Sequence, residues 1–196
     1  TVADIERASN EYVRYGITSI VEPGVSPLNM RAYQRARQEG RLPLRVNMMP
    51  VWHGLRSARH ALDLDEKVEQ LGIVNNFGDE WLNIGPLKLA LDGGLGSKTA
   101  WMHDPFLDGT YSSAELRLDV ERLQGYFEHA HSAGWSVGIH CCGDRAQEVA
   151  LQKLDAVMED APPAPVRHNI IHGYFPTDYS LELMAKNDIA VSVQPG

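Results

Sequence analysis

Apolar residues along this chain recur at two alternating spacings, one helical and one strand-like. Ile5, Ala8 and Tyr12 fall on one helical face within residues 3–15, and Gly16 supplies a stop. Residues 17–21 then read as a strand. Ser26-Pro27 opens a second helix with a cap residue and proline at its first position, and Gly40 closes it. Residues 44–49 form the next strand, and a helix starting near Asp63 or Asp65 runs to Gly72. After the strand at 87–92 comes a long aperiodic stretch to Gly109. Ser112 with Glu115 resembles a capping box for a helix carrying Leu116, Val120, Leu123, Phe127 and Ala130 inward and ending at Gly134. Strand 135–140, a helix opened by Asp144, strand 168–172, a helix at 178–186 and strand 189–194 complete the pattern.

Strands separated by helices, with no hairpin signal, predict a parallel α/β sheet. The strand faces narrow the choice of fold. Lys88, Ala90 and Asp92 share one face while Leu87, Leu89 and Leu91 share the other. Ser136, Gly138 and His140 oppose Trp135, Val137 and Ile139, and Ala190, Ser192 and Gln194 oppose Ile189, Val191 and Val193. Doubly wound sheets are apolar on both faces. A small or polar inner face and a large apolar outer face predict a (β/α)8 TIM-type barrel, here as about six consecutive βα units.

At 196 residues and 43% hydrophobic content, a single domain is expected. The net charge of −8 argues against nucleic acid or an anionic membrane surface as partner. No apolar run approaches a membrane span, and no signal peptide opens the chain. Cys141 and Cys142 are adjacent and cannot form an ordinary disulfide with each other. They read as small packing residues in a reduced, cytoplasmic setting. The chain opens at Thr1 without methionine and stops after a strand, so a piece of a longer protein is expected.

Lys88, His140 and His172 lie at or near the ends of separate strands, where a barrel builds its active site. Brought together, they can hold metal, and metal-activated water is a hydrolytic nucleophile. Lys88 has other readings: a buried ion pair with Asp92, a Schiff-base lysine, or a carbamate formed with carbon dioxide. His168 and His172 are four apart, which on a strand means roughly 13 Å, too far to share an ion. His168 is therefore read as structural, and His129 and His131 as suited to a helix C-terminus. The glycines of residues 92–97 match no phosphate-loop pattern.

Residues 87–100, LKLALDGGLGSKTA, resemble the "VKIFADGSLGSRTA" signature of amidohydrolase family 3, a branch of the metal-dependent amidohydrolase superfamily. Residues 139–146, IHCCGDRA, are similar to that family's "IHAIGDRA", and residues 167–172, RHNIIH, to its "RHRIEH". Gly16-Ile17-Thr18-Ser19 resembles its "GVTS" and Val193-Gln194-Pro195 its late "MQP". The motifs occur in family order.

The resemblance implies a hydrolase that attacks a non-peptide carbon–nitrogen bond with metal-activated hydroxide. It makes Lys88 (as a carbamate), His140 and His172 the ligands of one or two divalent ions, zinc first among them. Asp92, Trp101, His103 and Arg145 are candidates for substrate contact or support of the ligands, and His53 is a weaker one. Two positions depart from the family: Ile171 stands for its glutamate and Cys141-Cys142 for its Ala-Ile. The family's HxH motif, eighth-strand general-base aspartate and flanking β-sandwich have no counterpart in these 196 residues. The chain is thus expected to be the central, catalytically incomplete part of the barrel. A small amide-like substrate is expected, and a homo-oligomer is left open. The rival readings are a non-catalytic barrel-type binding module and a metal-free lyase that uses Lys88.

Overall fold

The computed structural model describes residues 1–53, 72–112, 114, 116–162 and 164–194. The helix expected over residues 63–72 lies almost wholly outside them, as does Glu115 of the expected capping box.

Helix α1 spans Val2–Arg14 and opens with a capping box in which the Thr1 hydroxyl accepts from the Asp4 amide at 3.3 Å. Strand β1 is Ser19–Val25, helix α2 is Pro27–Gln38 with Ser26 as its cap, and strand β2 is Arg45–His53. Strand β3, Phe77–Gly78, runs antiparallel to β4, Leu82–Ile84. Next come β5 at Leu87–Ala90, α3 at Val120–Ser132, β6 at Val137–Cys141, α4 at Asp144–Asp160, β7 at Asn169–His172, α5 at Asp178–Lys186 and β8 at Ala190–Ser192.

All strands but β3 pair in parallel, in one eight-stranded sheet. Strand β2 carries β1 on one side and both β4 and β5 on the other. Gly85-Pro86 separates β4 from β5, where proline offers no amide to the ladder. β4 and β5 therefore fill one barrel position, and the six expected strand positions are present. The β3–β4 hairpin was not expected. Asp79 makes it by accepting the amides of Trp81 and Leu82, each at 2.8 Å.

The two faces separate as the alternation requires. Val46, Met48, Leu87, Leu89, Leu91, Val137, Ile139 and Ile170 join Leu123, Phe127, Leu151, Leu154 and Leu183 of the helices in one apolar layer. The opposite face closes on itself: Val21, Pro23, Met49, Ile171, Ser192 and Gln194, drawn from β1 to beyond β8, line one small cavity. A sheet whose first and last strands share an interior cavity is curled as a partial barrel. Gly138 belongs to that interior, because a Cβ there would stand 2.0 Å from Met49 Cε.

Three details differ from expectation. Helix α3 begins at Val120, capped by Asp119, and not near Ser112. The Ser112 hydroxyl instead bonds the Ala100 carbonyl, Ala114 adopts a φ of +42°, and the Arg117 amide donates to the Leu91 carbonyl at 2.9 Å. Ser112 and Arg117 are thus held by carbonyls at and beyond the end of β5 and stay outside the helix. Tyr12 is 44% exposed, and Ser9 is the one buried residue of α1. On β8 the expected apolar face is only partly covered: Ile189 is buried, but Val191 is 38% and Val193 64% exposed.

Candidate metal centre

Parallel register brings the expected groups to one end of the sheet. Lys88 lies opposite Gly138, Ala90 opposite His140, and Cys141 opposite His172. The space that Gly138 leaves on the inner face is taken by the Met49 methyl, and Lys88 is 3% exposed. The Lys88 amine makes no hydrogen bond or ion pair with the described residues, and burial pushes it down to about 8. The ion pair with Asp92 considered from sequence is absent. Both Asp92 carboxylate oxygens are committed elsewhere, to the amides of Trp101, Cys142 and Gly143, each at 2.9 Å.

His140 follows strand alternation onto the inner face. His172 does not. It shares parity with Ile170, which packs in the outer apolar layer. Its φ of +86° lies in the left-handed region, and the turn this makes carries the imidazole to the mouth. There His172 Nε2 meets His140 Nδ1 at 2.9 Å, with the rings nearly perpendicular.

The outer nitrogens decide what the inner ones can do. His140 Nε2 is 2.7 Å from the Gly93 carbonyl, which can only accept, so the proton sits on Nε2. The Tyr174 hydroxyl donates to Gln194 Oε1 at 3.1 Å and therefore accepts from His172 Nδ1 at 3.2 Å. Both inner nitrogens are left with lone pairs facing each other. That arrangement is repulsive until a cation lies between them. Two nitrogen ligands of a tetrahedral ion stand roughly 3.3 Å apart, close to the observed separation. Burial, followed by the charge of Lys88, lowers both imidazoles, His140 to about 4, so both are neutral ligands at physiological pH. The donor set fits a divalent metal.

The sequence reading missed Cys142, whose Sγ is 3.5 Å from His140 Nε2. His140, Cys142 and His172 are the group of potential ligands found among the described residues, with ligand atoms within 4.8 Å of one another. Cys141 does pack in the core as expected. Cys142 lies two residues beyond His140, the spacing that could have flagged it. Its thiol is pushed up to about 12 by burial, so it stays protonated without a cation nearby. Tyr174 and Gln194 also went unassigned.

Trp101, His103 and Arg145 gather around the first turn of α4. The Trp101 amide is held by Asp92, and its carbonyl accepts from Ala146 at 3.2 Å. The exposed Arg145 guanidinium lies 4.9 Å above the Trp101 ring. His103 is exposed, with its amide on Asp144 Oδ1 at 2.9 Å and Nε2 at 2.8 Å from Glu148 Oε2. His53 ends β2. His168, read as structural, sits in the outer layer against His131 at 3.1 Å.

The family model described as the amidohydrolase family matches residues 2–196. YtcJ of Bacillus subtilis (strain 168), a provisional amidohydrolase by name, is 29% identical over 167 residues, which cover 85% of this chain and 28% of YtcJ. Crystal structures of two uncharacterised metal-dependent hydrolases are similar throughout. That from Pyrococcus horikoshii OT3 has a TM-score of 0.79 and 29% identity, covering 99% of this chain and 36% of its own. That from Pyrococcus furiosus has a TM-score of 0.75 and 27% identity, covering 100% and 39%. The chain thus spans between a quarter and two fifths of these relatives. With family motifs in order, a partial barrel and a match from end to end, this chain belongs to the amidohydrolase family.

Proposed function

We propose that the chain is the central part of a metal-dependent hydrolase barrel that cleaves a carbon–nitrogen bond other than a peptide bond in a small amide-like molecule. The facing lone pairs of His140 and His172 at 2.9 Å carry this reading. In it His140 and His172 are ligands, each oriented through its outer nitrogen. Lys88 is the third ligand as a carbamate. Its neutral amine attacks carbon dioxide, a nitrogen–carbon bond forms, and one proton leaves to solvent. Burial and the lack of a partner among the described residues favour the neutral amine that this requires. A divalent metal, zinc by the donor set, supplies Lewis acidity and makes water a nucleophile at neutral pH. Asp92 is not the general base, because backbone amides occupy both its oxygens. Trp101 and Arg145 bound the entrance and orient the substrate.

Elemental analysis of the purified full-length protein tests the reading. One or two equivalents of zinc or a similar ion are expected, lost in Lys88→Ala and His140→Ala, with hydrolysis of amide or imide substrates lost in parallel. The depressed amine of Lys88 also favours a metal-free Schiff-base lyase. Borohydride trapping of a substrate on Lys88 in metal-free protein would select that alternative. Neither metal nor trapping would leave a binding module.

A further inference from the structure

The histidine pair depends on one proton staying on the outer side of His172. We infer that Tyr174, with Gln194 behind it, is a positioning residue that keeps this proton on Nδ1 and so keeps Nε2 open to metal. The inference rests on the metal reading above. Three observations support it. His172 and Gly173 both have positive φ, +86° and +58°, so the imidazole is placed by a strained turn and not by the strand. The Tyr174 ring lies beside His172, with centroids 5.3 Å apart, and its hydroxyl is 3.2 Å from Nδ1. That hydroxyl donates to Gln194 Oε1 at 3.1 Å, just beyond β8, the strand paired with β7. The relay therefore ties the turn after β7 to the neighbouring strand and fixes the direction of both hydrogen bonds.

Without the hydroxyl, only the weaker approach of the Gln194 side chain is left to hold the proton on the outer side of His172. The proton can move to Nε2, where His172 would donate to His140 Nδ1 and close the site with an N–H···N bond. Metal would then have to displace that bond. Partners of this kind, behind a ligand, typically change metal affinity about 10- to 100-fold.

The test compares the wild-type protein with Tyr174→Phe and Gln194→Ala. Zinc affinity is measured by competition with a chromophoric chelator. Co2+-loaded protein is examined by proton NMR for the shifted, exchangeable imidazole N–H signals. Tyr174→Phe is expected to weaken zinc binding about 10-fold or more. It should also expose the His172 N–H to exchange while the His140 N–H, held by Gly93, stays protected. Gln194→Ala should move both readouts in the same direction by less. Unchanged affinity and an unchanged His172 signal in Tyr174→Phe overturn the inference and leave the metal reading standing. A wild-type protein that takes up neither ion overturns the metal reading, and the inference with it.

Discussion

The His131–His168 pair makes this protein sensitive to acid in a way that can be worked out from its hydrogen bonds. The Val137 amide donates to His168 Nδ1 at 3.1 Å, so that nitrogen holds a lone pair. His168 Nε2–H then donates to His131 Nδ1 at 3.1 Å, and His131 Nε2–H to the Pro162 carbonyl at 3.0 Å. Every position is used once, and an added proton on either ring sets two N–H groups against each other. Both rings are about 2% exposed, and burial, followed by the charge of His131, pushes His168 down to about 4. The unfolded chain, with His168 near 6.5, takes up the proton first as pH falls. The contribution of His168 is complete above about pH 6.5 and is lost progressively towards pH 4. Where only the unfolded chain is protonated, each further pH unit costs about 1.4 kcal/mol, so the loss between pH 7 and pH 5 comes to about 2 kcal/mol. Urea unfolding at both pH values, for wild type and His168→Asn, measures it. The variant should be less stable at pH 7, by about 1–3 kcal/mol, and this deficit should shrink by about 2 kcal/mol at pH 5. A deficit that does not change with pH refutes the argument.

Other expectations follow from close approaches. Asp92→Asn points an amide N–H2 at backbone donors, so thermal stability should fall by about 1–3 kcal/mol. Hydrogen exchange should then speed up at the amides of Trp101, Cys142 and Gly143. Gly138→Ala places a methyl 2.0 Å from Met49 Cε. It should cost about 1–3 kcal/mol in denaturant unfolding, and Met49→Ala in the same chain should recover part of that loss. Gly143→Ala meets the Trp101 carbonyl at 1.9 Å. Backbone yields less readily than a methionine tip, so this variant should lose more stability than Gly138→Ala and lower the metal content as well.

Strand positions and faces were legible because alternation is a local property of β-structure. Leu87, Leu89 and Leu91 declared the outer layer, and Lys88 and His140 the inner one. Helix starts were legible where a cap acts only on its own helix, as Ser26 does. Ser112 has the same chemistry, but a distant carbonyl claims its hydroxyl. His172 is the sharper case. Alternation alone sends it to the helices, family resemblance sends it to the mouth, and a left-handed φ reconciles the two. Cys142 and Tyr174 stand two residues beyond His140 and His172, a spacing that could have flagged them, whereas Gln194 enters from beyond the neighbouring strand, at a sequence distance no local pattern spans.

Asp92 has a consequence for how substitutions around it are felt. Its carboxylate holds Trp101, Cys142 and Gly143 by their backbone amides alone. These three hydrogen bonds are therefore indifferent to the side chains at 101 and 142, while 143 must stay glycine. Exchanging either side chain leaves all three hydrogen bonds in place. A substitution at 101 or 142 is therefore felt through packing and not through this hydrogen-bonded frame.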